Sequence, residues 1–77
     1  MYEYAICNIY DKNVFSEQCT ALEKHIPDMQ KKLVSVDVDG SEIQEYMRSG
    51  SSVKVLNDKD FGVIIRSDFD IKPFFKA

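Results

Sequence analysis

The chain has 77 residues, 44% of them hydrophobic and 30% charged, which describes one ordinary globular domain spanning 1–77 and excludes a disordered or linker-like polypeptide. The net charge of −3 argues against a phosphate-binding surface, which needs a basic footprint. The two cysteines, Cys7 and Cys19, read as buried small apolar residues in reducing surroundings. Glu3 and Asn8 interrupt the amino terminus, so neither a signal peptide nor a membrane span is expected; a complete, cytoplasmic product beginning at Met1 is.

Tyr2 to Tyr10 reads as a strand with apolar residues on both faces, Tyr2, Tyr4 and Ile6 against Ala5, Cys7 and Ile9, which predicts a central position in a sheet. Asp11 or Asn13 is placed to cap the helix that follows, with Ser16 a later candidate. From Val14 to Ile26 the apolar residues Phe15, Cys19, Leu22 and Ile26 recur at steps of four, three and four, one face of an α-helix, and Met29 continues the series. At roughly 1.5–3 kcal/mol for each large apolar side chain buried, these five residues are worth about 7–15 kcal/mol before the entropy cost of folding. Pro27 predicts an end or kink near His25 to Ile26, because proline lacks the N–H that the helix needs and clashes with the preceding turn.

Leu33 to Val38 alternates Val34, Val36 and Val38 with Ser35 and Asp37, which predicts a strand with one buried and one wet face, ended by Gly40. Ser41 to Ser49 reads as a short second helix: Ser41 and Gln44 have capping-box spacing, Ile43, Tyr46 and Met47 share a side, and Gly50 sits where a helix-terminating glycine belongs. Val53 to Leu56 and Phe61 to Arg66 read as a hairpin joined by residues 57–60, with Val53 and Val55 facing Val63 and Ile65, and Gly62 marks a bulge or a close contact. The tail from Ser67 to Ala77 holds Phe69, Ile71, Phe74 and Phe75 around Pro73, four large apolar residues that are expected to pack rather than hang in water. The expected architecture is α+β: a single sheet of about four mainly antiparallel strands, a long helix on one face and a short second helix, in the order β-α-β-α-β-β.

The candidate chemistry is thin. Around Gly40 a calcium loop would place Tyr46 where a bidentate carboxylate is required, so the match fails. His25 is the sole histidine, and neither cysteine stands at metal-ligand spacing from it; a Cys19–His25 pair lies six residues apart and points in different directions on a straight helix. No phosphate loop, nucleophile elbow or metal motif is present, so no catalytic residue, cofactor or metal is expected. The pairs Asp37/Asp39 and Asp68/Asp70 share a face in extended chain, and solvated surface charge is their plainest reading. Asp37, Asp39, Glu42 and Glu45 at a strand–helix junction would form an acidic patch able to steer a basic partner, which Arg48 would blunt; Asp68, Asp70, Phe74 and Phe75 form a second candidate contact surface.

Small size, acidity and the lack of a chemical motif are shared with small inhibitors and immunity proteins of bacteria, phages and mobile elements, a likeness of type with no motif in common. The expectation is a non-catalytic protein that binds and inhibits or neutralises a protein partner with a basic surface, as inhibitor, immunity or anti-defence proteins do. A homodimeric accessory subunit paired through a sheet edge or the Phe74–Phe75 tail is the alternative. Nucleic-acid binding through a strip of Lys31, Lys32, Lys54 and Arg66 is the weakest reading.

Overall fold

The computed structural model describes residues 1–75 as one antiparallel sheet backed by one helix; Lys76 and Ala77 of the tail lie outside the described residues. The elements are β1 (Tyr2–Cys7), α1 (Lys12–His25), β2 (Gln30–Lys31), β3 (Ser35–Val36), β4 (Glu42–Arg48), β5 (Ser51–Asp58), β6 (Gly62–Ser67) and a 3-10 turn over Lys72–Phe75. The sheet runs β1-β6-β5-β4-β2, with β3 also against β4. Four strands are long and two are two-residue fragments. The α+β class, the antiparallel sheet and the helix on one face therefore agree with the sequence reading, while the element order does not.

α1 begins where expected. The Asp11 carboxylate accepts the amides of Asn13 and Val14 at 2.9 and 3.1 Å, satisfying two of the donors a helix start leaves open. The helix stops at His25, ahead of Pro27, and Phe15, Cys19, Leu22 and Ile26 lie buried against the sheet. Val53, Val55, Val63, Ile65 and Tyr46 form the facing wall, and Ile71 of the tail closes the core.

The predicted second helix is instead β4. Its pattern favours helix: Ile43, Tyr46 and Met47 share a helical side, and Glu, Gln, Met and Arg favour helix. In the strand Gln44 and Tyr46 are instead buried on one face and Ile43, Glu45 and Met47 lie on the other, an order that the apolar spacing does not show. Pairing with β5 over the whole of its length decides the matter. Ser49 and Gly50 form the two-residue connection between Arg48 and Ser51, with φ of 51° and 82°, the left-handed conformation at both central positions that tight hairpins require. Gly50 therefore turns a hairpin and does not end a helix. Ser41 and Gln44 form no capping box; the Ser41 hydroxyl accepts the Lys59 amide, and the buried Gln44 amide donates to the Lys32 and Glu45 carbonyls.

β1 lies at the edge of the sheet, beside β6 alone, not at its centre. Its apolar residues on both sides have another cause. A register shift between Ala5 and Cys7 turns Cys7, opposite Val63, to the same face as Tyr4, opposite Ile65. Gly62 makes that shift possible: with φ at 87°, it lies so close to β1 that a Cβ would meet the Cys7 carbonyl oxygen at 2.3 Å and the Ile9 nitrogen at 2.5 Å. The β5–β6 hairpin is present with Val55 opposite Ile65, while Val53 faces Ser67 and Val63 faces Asn57.

The other edge holds the largest departure. The predicted strand over Leu33–Val38 is only the fragment β3, and neither of its faces is buried. Alternation identifies extended chain; it does not say what covers it, and α1 does not reach over this margin.

Candidate functional site

The outer edge formed by residues 31–39 is the most unusual surface of the molecule. Lys31 sits opposite Tyr46 and the Lys32 amide donates to the Glu45 carbonyl at 2.9 Å. Four steps from Lys31 to Ser35 face three from Tyr46 to Ile43, so the outer strand carries one extra residue and bows away from β4 at Leu33 and Val34. Pairing resumes at Ser35 and Val36, and the Asp37 amide donates to the Ser41 carbonyl at 2.8 Å. A turn closed by the Gly40 amide on the Asp37 carbonyl at 3.0 Å then reverses the chain, with Gly40 at φ 89°.

This path leaves Leu33 92% exposed, Val36 66% exposed and Val38 fully exposed, with Val34 also open to solvent. Scattered exposed apolar residues are ordinary; four within six positions on an unpaired sheet edge are not. Asp37 and Asp39 stand at the end of the segment, both exposed. The Asp37 carboxylate accepts the Val38 amide and the Asp39 carboxylate accepts the Ser41 amide at 2.9 Å; hydrogen bonds from Ser41 hold the Asp39 carboxyl below its usual pKa, so it stays ionised.

The anticipated four-residue acidic patch divides. Asp37 and Asp39 share the turn. Glu42 points to the helix-covered face, where the Tyr10 hydroxyl and the Asn57 amide donate to it at 3.3 and 3.2 Å. Glu45 points to the opposite face and accepts the Ser52 hydroxyl at 3.1 Å. The tail residues hold the fold together as well. Asp68 accepts the Ser52 amide at 2.9 Å and Asp70 accepts the Tyr4 hydroxyl at 2.7 Å. Phe74 packs at the core margin under the Arg48 guanidinium, 5.1 Å from the ring centroid, and Phe75 lies 4.9 Å from the His25 ring, 39% exposed.

The face of the sheet away from α1 is ordered in cross-strand rows. Ala5, Ile64, Leu56 and Ile43 form one apolar row. Beside it, Glu3, Arg66, Lys54 and Glu45 form a row of acid, base, base, acid, with Arg66 Nε 2.8 Å from Glu3 Oε2. Lys54 and Arg66 are thus flanked by carboxylates on this face; Lys32 lies across from Glu45, which separates it from them, and Lys31 turns to Glu23 on the helix side, so the four bases form no continuous strip. Among the described residues no group of three or more His, Cys, Asp or Glu side chains is arranged to hold a metal ion, and no helix is long and apolar enough to cross a membrane.

One network, buried at Tyr46 and exposed at Glu23 and Lys31, ties the outer edge to the helix. The Tyr46 hydroxyl donates to Glu23 Oε2 at 2.6 Å, and Lys31 Nζ lies 3.3 Å from the same oxygen. Burial, then the bond to Glu23, raises the Tyr46 hydroxyl far above its ordinary pKa; burial likewise raises the Cys19 thiol, so both remain protonated. The bond from Tyr46 lowers the Glu23 pKa. Because the folded pKa lies below the unfolded one, the stability from ionised Glu23 is present above the ordinary carboxylate pKa and lost as pH falls through the folded value. Tyr46→Phe is expected to cost about 1–2 kcal/mol at neutral pH in urea titrations and to shrink the loss seen on going to about pH 3; an unchanged acid dependence in the variant would assign that dependence elsewhere.

Asp37 and Asp39 stand exposed in a turn, and the four apolar residues expected on a buried face are exposed beside them; the signal for this in the sequence is the bracketing of LVSVDV by Lys31-Lys32 and Asp39-Gly40, the charged flanks that natural edge strands carry. No family model, curated protein or solved structure matches the chain.

Proposed function

We propose that this chain is a small non-catalytic protein-binding module that acts by occupying a protein partner, in the manner of inhibitor, immunity or anti-defence proteins. The observation that supports the reading is the solvent-exposed apolar edge Leu33, Val34, Val36 and Val38, leading into the turn that carries Asp37 and Asp39. An open strand edge offers backbone hydrogen bonds, its side chains offer apolar anchors, and two carboxylates steer a partner whose contact surface is basic.

The test is capture from lysate of the source cell by tagged protein at low and moderate salt. A stoichiometric protein partner retained by the native chain and lost with Val36→Asp/Val38→Asp is the expected result; equal retention by both would remove the edge from the binding surface. With that partner purified, Asp37→Lys/Asp39→Lys is expected to lower the association rate constant by roughly tenfold and to flatten its salt dependence, with a smaller effect on dissociation, as measured by stopped-flow mixing.

A further inference from the structure

The edge segment reads Lys31-Lys32-Leu33-Val34-Ser35-Val36-Asp37-Val38-Asp39: basic at its start, apolar in its middle and acidic at its end. Such a segment is complementary to itself when reversed. Two copies laid antiparallel about Ser35 place Lys31 of each opposite Asp39 of the other, Val34 opposite Val36, and Ser35 opposite itself. A parallel alignment would instead put lysine on lysine and aspartate on aspartate. The backbone is available for the same arrangement. The Asp37 amide points inward to the Ser41 carbonyl, so by strand alternation the neighbouring Val36 N–H points outward, away from β4.

We propose that the occupant of this edge in the free protein is a second copy of the chain, joined across a two-fold axis as an antiparallel β3–β3 ladder flanked by reciprocal Lys31–Asp39 contacts, with Lys32 opposite Val38 and Leu33 opposite Asp37. Because Val36 faces Val34 in this register, the ladder is short, one Val36–Val34 pair on each side of Ser35, and the long lysine stems reach the facing carboxylates from outside it. The contact is isologous, so each favourable charge pair occurs twice and the assembly closes at two copies instead of growing into a fibre. The inference rests on the reading of this edge as the binding surface and adds its occupant: a protein partner would compete with the second copy.

Sedimentation equilibrium over roughly 1 µM to 1 mM protein is the experiment, with three sets of variants. The native chain is expected to dimerise within this range and to dissociate as salt rises. Lys31→Glu/Lys32→Glu makes the segment wholly acidic, and Asp37→Lys/Asp39→Lys makes it wholly basic; each alone is expected to self-associate at least about tenfold more weakly, and an equimolar mixture of the two to regain a 1:1 dimer. Lys31 also pairs with Glu23 and Asp39 accepts the Ser41 amide, so these variants carry a risk to the fold. Val36→Pro provides the independent arm: proline is tolerated where an edge N–H faces solvent, charge is unchanged, and the dimer is expected to be lost with thermal stability retained. A native chain that stays monomeric to the top of the range, a mixture that does not recombine, or a Val36→Pro chain that dimerises like the native one overturns the inference. A monomer that still captures a protein partner through the edge overturns this inference alone; a dimer obeying the charge rules without any protein partner overturns the partner reading alone.

Discussion

Gly62→Ala is expected to destabilise the fold by roughly 3 kcal/mol or more, the largest effect of any single-methyl addition in the chain. Two costs combine at this position. A left-handed backbone with φ near 87° disfavours any Cβ by about 1–2 kcal/mol. The new methyl group would also stand 2.3 Å from the Cys7 carbonyl oxygen and 2.5 Å from the Ile9 nitrogen, both backbone atoms that cannot swing aside as a side chain could. β1 would have to leave β6 or lose its register shift, returning Cys7 to solvent. Gly50→Ala isolates the first cost, because φ there is 82° and nothing lies within 4 Å of the added Cβ. The expected loss for Gly50→Ala is about 1–2 kcal/mol, and urea unfolding of both variants measures the difference. Equal losses would mean that β1 gives way freely, and the close approach would then carry no stability.

Leu22→Ala is expected to cost about 2–5 kcal/mol, a large share of the roughly 4–12 kcal/mol that a domain of this size commands. Leu22 is wholly buried at the centre of the helix face, among the valines of the sheet. Truncating it removes apolar area from the core and leaves a cavity that a short helix cannot collapse to fill. Leu33→Ala is the matched comparison: the same chemical change at a side chain 92% exposed is expected to shift stability by no more than about 0.5 kcal/mol. Thermal unfolding by circular dichroism reads both. A comparable loss at Leu33 would show that the outer edge contributes to the folded monomer and is not held in reserve for contact.

The sequence carried the helix and its ends clearly, because Phe15, Cys19, Leu22 and Ile26 repeat at one period only and Asp11 and Pro27 mark the boundaries. It carried β5 and β6 for the same reason. β4 is not legible because Ile43, Tyr46 and Met47 fit the helical period and break strict alternation, and only the Ser49–Gly50 turn and the long pairing with β5 make it a strand. Positions in the sheet were not legible. Apolar residues on both sides of Tyr2–Cys7 suggested a central strand, when a shift of register beside one glycine produces the same pattern at an edge. At the proposed site, Asp37 and Asp39 were legible because turn residues are exposed almost by definition. Glu42 and Glu45 were placed with them on a helix that does not exist; on a strand, residues three apart face opposite sides.

The route of the chain through the sheet has a kinetic consequence. β4, β5 and β6 follow one another directly, joined by two tight reversals, and occupy the middle of the sheet. Both margins come from the amino-terminal half, and β1 finds its partner almost the whole length of the chain away, Tyr2 against Ser67. Contacts near in sequence close early and cheaply, whereas distant ones wait. The three-stranded meander is therefore expected to form first, with β1, α1 and the outer edge laid over it as a strap crossing from one margin to the other. A segment added last is also the one that opens at least cost, so the outer edge is expected to yield without disturbing the centre of the molecule.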